Sequence, residues 1–150
     1  AYHRHYRRRS GRGDEKAGGI TVVIIFMNIL AIDYGKKNIG LAWCDTGIGA
    51  PLPYGVIKDR NISELTDLII NEKIDKVIIG LPLGLDGREN ANTAAAREFG
   101  GRLKSQIKAS VEFFDERFTS AAADKLGGTV SRDEAAALVI LQNYLDKINN

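Results

Sequence analysis

The chain has 150 residues, enough for one ordinary domain and too few for two. Hydrophobic residues make 44% and charged residues 27%, the balance of a soluble globular protein. A single cysteine, Cys44, excludes a disulfide framework and a cysteine-rich zinc site. Both histidines, His3 and His5, stand near the N-terminus, which excludes Ser-His-Asp, Cys-His and HExxH chemistry in the body. Carboxylates, lysines, hydroxyls and backbone remain for catalysis.

The formal charge of +2 is unevenly placed. Residues 1–26 carry six basic residues (Arg4, Arg7, Arg8, Arg9, Arg12 and Lys16) against Asp14 and Glu15, hence +4. The remaining 124 carry fifteen basic and seventeen acidic residues, hence −2. The one methionine, Met27, directly precedes the first convincing strand. The expectation is a natural start at Met27, with residues 1–26 a non-native or disordered extension and 27–150 a single domain. A basic arm that binds nucleic acid nonspecifically is the alternative. The arginines followed by the apolar run Ile20–Ile32 resemble the first regions of a signal peptide. Thr21 and Asn28 interrupt that run, and its thirteen residues fall short of the roughly 20 that span a bilayer. A cytoplasmic protein without membrane association is expected.

In chain order, Asn28–Asp33 is an apolar run ending in a carboxylate and reads as a buried central strand. A turn over Tyr34–Asn38 leads to Ile39–Cys44, joined so tightly that the pair must be an antiparallel hairpin. Pro51–Ile57 reads as a third strand with prolines suited to an edge or a strand start. The period then changes. Asn61–Lys73 has Leu65, Leu68 and Ile69 at helical spacing, with Asn61 and Glu64 as a capping box. Lys76–Leu81 is a short apolar strand. Asn92–Ile107 is a helix with Ala95, Ala96, Phe99, Leu103 and Ile107 on one stripe. Val111–Asp115 is a strand, and Thr119–Leu126 a short helix ended by Gly127-Gly128. Ser131–Ile148 is the last helix, capped by Ser131 and Glu134, with Leu138, Leu141, Gln142 and Leu145 on one face. The order predicts an α/β fold: a mixed five-stranded sheet whose first three strands form an antiparallel meander, with helices on both faces.

Three carboxylates fall where such a sheet can gather them. Asp33 ends the first strand, Glu116 ends the last, and Asp133 lies in the first turn of the last helix. Ligands of open α/β sheets bind at one edge, where strand ends converge. Clustered carboxylates repel unless a cation neutralises them, and oxygen ligands suit Mg²⁺ or Mn²⁺. Two such ions, roughly 4 Å apart, can activate water and stabilise the leaving oxygen in phosphodiester cleavage. Each residue also has an ordinary explanation: an Asx turn for Asp33, a surface charge or a pair with Arg117 for Glu116, a helix-dipole charge for Asp133. Asp115, Asp86 and Asp45 are further carboxylates near strand ends. The turn Asp33-Tyr34-Gly35-Lys36-Lys37 offers lysines to a phosphate backbone, or is simply a solvated hairpin tip. The loop Gly80-Leu81-Pro82-Leu83-Gly84-Leu85-Asp86-Gly87 enters a helix and either holds a phosphate on its amides or follows ordinary turn chemistry.

ILAIDYGKKNIGLAWCD, VIIGLPLGLDG, FFDERFTS and DEAAALVILQNYLD occur in this order. Together they resemble the YqgF/RuvX family of Holliday junction resolvases and pre-16S rRNA nucleases, over about Met27 to Asp146. The resemblance implies an RNase H-like, RuvC-like fold and a two-metal nuclease site. By motif, its acids fall on Asp33, Glu116 and Asp133. Arg117 and Thr119 become candidate substrate contacts, and Gly35, Gly80 and Pro82 belong to its hallmark loops. A basic patch of Lys36, Lys37, Arg88, Arg97 and Arg117 suits nucleic acid although the body is slightly acidic. Phe118–Arg132 is shorter than the matching family segment, and its only basic residues are Lys125 and Arg132.

The expected function is a Mg²⁺- or Mn²⁺-dependent endonuclease acting on structured RNA, the 5′ end of pre-16S rRNA first, as a monomer or weak homodimer. Branched DNA is the alternative substrate. A non-catalytic protein of the same fold, binding nucleic acid or the transcription machinery, is the rival, supported by the short Phe118–Arg132 segment.

Overall fold

The computed structural model describes residues 12–17, 20–115 and 130–149. Within the first 26 residues, β1 (Arg12–Ala17) and β2 (Ile20–Ile25) pair antiparallel with each other and take no part in the main sheet. The main sheet is built from β3 (Asn28–Tyr34), β4 (Ile39–Asp45), β5 (Leu52–Ile57), β6 (Lys76–Leu81) and β7 (Ser110–Asp115). Its strand order is β5-β4-β3-β6-β7. β3, β4 and β5 form the antiparallel meander, while β6 pairs parallel to β3 and β7 parallel to β6. The three helices among the described residues are α1 (Ile62–Asn71), α2 (Ala91–Lys104) and α3 (Arg132–Ile148). The predicted helix Thr119–Leu126 lies outside the described residues. Among the described residues no helix is long and apolar enough to cross a membrane.

Two cores flank the sheet because successive strand residues point to opposite faces. Leu30 and Ile32 of β3, with Ile39, Leu41 and Trp43 of β4, pack under Leu65 and Ile69 of α1 and Phe99 and Leu103 of α2. Ile29, Ala31, Ala42 and Cys44 meet Ala137, Ile140, Leu141, Tyr144 and Leu145 of α3 on the other face. Ala31, Ala42 and Cys44 are small, which lets α3 lie close to β3 and β4 there.

Helix starts follow local chemistry. Asn61 Oδ1 accepts the Glu64 N–H, and Ser131 Oγ accepts that of Glu134. α2 starts one residue before the predicted Asn92, on a full capping box of Asn90 and Thr93. It ends at Lys104, so Ile107 packs against the core from the following loop. Gln142 does not join the buried stripe of α3: it is exposed and donates to Asp146 Oδ1 at 2.9 Å. Its place on the inner face goes to Ile140 and Tyr144, which the 3.6-residue period aligns with Ala137 and Leu141.

Candidate active site

The site is built where β3 and β4 meet the first turn of α3. Asp33 pairs in register with Gly40. Directly opposed residues of an antiparallel pair share a face. Asp33 therefore follows Ile29 and Ala31 toward α3, while Tyr34 turns to the opposite side. Gly40 is required by close approach. A Cβ on it would collide with the backbone carbonyl of Asp133. The Asp133 side chain lies just above, its Oδ1 3.7 Å from where a Cβ of Gly35 would stand. Asp133 is thus set beside the end of β3 that carries Asp33.

The neighbouring carboxylate fixes that approach. Glu134 is 8% exposed. Its Oε2 accepts the Gly55 N–H at 2.9 Å, and its Oε1 accepts the Ser131 hydroxyl at 3.0 Å. Gly55 sits at a bulge of β5, where the register against β4 shifts between Gly40 and Ala42. Its φ of +96° is a conformation that other residues rarely adopt. A bulge takes a residue out of regular pairing, and Glu134 bonds the Gly55 amide there. The first turn of α3 is thereby pinned to β5, and Asp133 with it.

Of the other predicted residues, Lys36 and Lys37 are exposed on the hairpin tip that follows Asp33. Gly35 closes that tip, its N–H reaching the Asn38 carbonyl at 3.0 Å. Gly80 lies within β6, opposite Phe114 of β7. Pro82 follows β6, and its carbonyl accepts the hydroxyl of the buried Thr93. In the glycine-rich loop, turn bonds occupy three of the backbone amides. Its Gly84 and Gly87 amides bond to the Arg88 and Gly84 carbonyls, and its Arg88 amide to Asp86 Oδ1. The exposed Arg88 side chain pairs with Asp86 at 3.8 Å, and Arg97 pairs with Glu89. Asp45 is at the opposite sheet edge from Asp33, because β4 runs antiparallel to β3 and Asp45 pairs with Asn28. Glu116, Arg117 and Thr119 lie outside the described residues, as does most of Phe118–Arg132. β7 is described to Asp115, which pairs with Leu81 at the same edge as Asp33. Among the described residues, no group of three or more His, Cys, Asp or Glu side chains is placed to hold a metal ion.

Sequence reasoning missed Gly40, Gly55 and Glu134 as positioning residues. A glycine inside a strand pattern is a signal for a bulge or a close approach, and both glycines carried it. From sequence, Glu134 is a cap residue alone. Tyr34 and Arg60 carry no such signal in the sequence. The Tyr34 ring stacks on Phe99 at 4.4 Å, and Arg60 Nη1 donates to the Tyr34 hydroxyl at 3.2 Å.

The strand order, with three antiparallel strands followed by two parallel ones, defines a mixed α/β scaffold with carboxylates at one sheet edge, and sequence comparison specifies it further. Residues 27–147 match the family model described as RuvX, Holliday junction resolvase, and the chain belongs to that family. A protein of Maridesulfovibrio salexigens named "Putative pre-16S rRNA nuclease" is 36% identical over 132 residues, covering 79% of this chain and 98% of its own. One of the same name from Sulfurihydrogenibium sp. is 40% identical, covering 81% and 91%. Among solved structures, Thermus thermophilus RuvC in complex with a Holliday junction substrate superposes with a TM-score of 0.59 at 14% identity, covering 83% of this chain and 97% of that one. The fowlpox virus Holliday junction resolvase gives 0.54 at 16% identity, covering 81% and 99%. The chain therefore has the RuvC-like, RNase H-like fold.

Proposed function

We propose that this protein is a metal-dependent endonuclease that processes the 5′ end of pre-16S rRNA in the cytoplasm. The observation that carries the reading is the seating of Asp133 against Gly40, the register partner of Asp33. Two carboxylates distant in sequence come to one face of one sheet edge, each on a rigid element. Membership of the RuvX family and the names of the curated relatives support the same activity.

Hard oxygen donors fit Mg²⁺ or Mn²⁺, and Gly35 puts no side chain of its own against Asp133 Oδ1. Asp33 and Asp133 would hold the ion, with Glu116 as the third acid from its place after β7. Bound there, a divalent cation lowers the pKa of water and offsets charge on a phosphoryl group. The chain's own residues do the rest. Lys36 and Lys37 on the exposed tip attract the phosphate backbone, with Arg88, Arg117 and Thr119 as further contacts. Glu134, Ser131 and Gly55 keep Asp133 from swinging away, so that its carboxylate is preorganised.

The test is cleavage of a pre-16S rRNA leader and of a four-way DNA junction by the full chain, with Mn²⁺ or with EDTA. Cutting of the leader is expected to need the metal and to vanish in Asp33→Asn and Asp133→Asn proteins that keep the wild-type circular dichroism. Preference for the junction would move the substrate to branched DNA, where symmetric cleavage needs two sites and hence a dimer. No cutting of either, with no Mn²⁺ binding by calorimetry, would overturn the reading in favour of a non-catalytic binding protein.

A further inference from the structure

On the far side of β3 from the carboxylates lies a cleft of about 340 Å³. Tyr34, Gly35 and Lys36 form one wall, Arg60 stands at another, and Pro82 and Asn92 close it from the α2 side. Gly35 belongs to both places, since it lines the cleft and stands next to Asp133 Oδ1. One backbone turn therefore separates the cleft from the candidate active site. Its volume is at the low end of ligand-sized clefts, which run from roughly 300 to 1,000 Å³.

Two cations face this space. Among the described residues, neither Lys36 nor Arg60 has a carboxylate within ion-pair distance, whereas Arg88 and Arg97 are each paired. Arg60 is also held in place. It ends a 3₁₀ turn over Lys58–Arg60 in which Asp59 and Arg60 both have positive φ, 56° and 52°. Such backbone is costly for residues other than glycine and persists only when its surroundings hold it. Asn38 Oδ1 accepts the Asp59 N–H at 3.1 Å and ties that turn to the β3–β4 tip. The Arg60 guanidinium bonds the Tyr34 hydroxyl and sits 5.2 Å from the ring centre. Phe99 stacks behind Tyr34 and fixes the ring in turn. A guanidinium has five N–H donors, and one bond to a phenol leaves the others available for an anion.

We infer that this cleft is a strand-anchoring subsite: Arg60, oriented by Tyr34, and Lys36 grip a backbone phosphate of the substrate strand, beside the bond that is cut. The inference rests on the nuclease reading for its place beside the scissile bond. The grip itself needs no metal and no catalysis.

The test is binding, in EDTA, of a fluorescently labelled single-stranded RNA to the full chain over a range of salt concentrations. Arg60→Gln is expected to weaken binding about tenfold at low salt. It should also reduce the slope of log affinity against log salt by about one phosphate contact. Arg60→Lys should restore the slope but only part of the affinity, since an ammonium cannot fork between phenol and phosphate. Tyr34→Phe should weaken binding less than Arg60→Gln and leave the slope unchanged. An Arg60→Gln protein with wild-type melting temperature, affinity and slope would overturn the subsite. Displacement of the RNA by an equal concentration of a mononucleotide would show a nucleotide pocket instead of a strand anchor, and would overturn it too. Because binding is read without metal, failure of the nuclease reading would appear separately, as absence of Asp33-dependent cutting with Arg60-dependent binding intact.

Discussion

The two faces of β3 are built to opposite rules. Toward α1 and α2 it presents Leu30, Ile32 and Tyr34, and the β4 residues beside them are Ile39, Leu41 and Trp43. Toward α3 it presents Ile29, Ala31 and Asp33, and β4 adds Gly40, Ala42 and Cys44. Bulk on the first face fills volume and holds two helices at a distance. Small residues on the second let one helix come close enough for its first turn to touch the strand. The first face supplies stability, and the second supplies position. In a strand whose side chains alternate, both demands are met by the same seven residues.

Removing volume from the first face should cost the most stability and the least function. Leu103 is fully buried on α2, and Leu103→Ala is expected to cost about 2–5 kcal/mol in urea unfolding. Cleavage per folded molecule should stay at the wild-type rate. Adding volume to the second face should do the reverse. Gly40→Ala places a methyl against the Asp133 carbonyl and should cost about 1–3 kcal/mol. Its Asp33-dependent cutting should fall far more than its folded fraction does, because α3 must back away from β3. A Gly40→Ala protein that is destabilised but cuts normally would sink the positioning role of that contact.

The smallest effect is a pH dependence. Cys44 lies buried on the α3 face, where desolvation first, then Asp45, pushes its thiol up to about 11 from 9.0, against a lowering by the Gly49 amide. Below pH 9 the thiol is neutral whether the chain is folded or not. Above it the unfolded chain loses the proton first, so this contribution to stability drains away between about 9 and about 11. Melting temperatures across that range should fall more steeply for the wild type than for Cys44→Ala. Equal slopes would mean that the thiol meets water in the folded state.

Much of this was legible from the chain alone. Strand and helix periods placed each described element of the main sheet and its helices within a few residues, and the short β3–β4 connection dictated the hairpin. The cap residues Asn61 and Ser131 marked two helix starts. These are local matters, set by backbone conformation and by which neighbours share a face. Asp33, Glu116 and Asp133 stand out by the same logic, as residues at the ends of elements, and the family resemblance singles them out from Asp45, Asp86 and Asp115. Gln142 is the exception on its helix, because a stripe read from sequence leaves open which flank meets the sheet.

What only the tertiary structure decided are the contacts between elements distant in sequence. Glu134 and Gly55 are 79 residues apart, and no periodicity links a helix-cap carboxylate to one strand amide. Gly40 needs no side chain only because α3 lies on that strand. Arg60 matters only because a strained turn brings it 26 residues back onto Tyr34. Local sequence sets which elements form. The packing of one face against another sets which carboxylates and cations meet, since that depends on distances no single element contains.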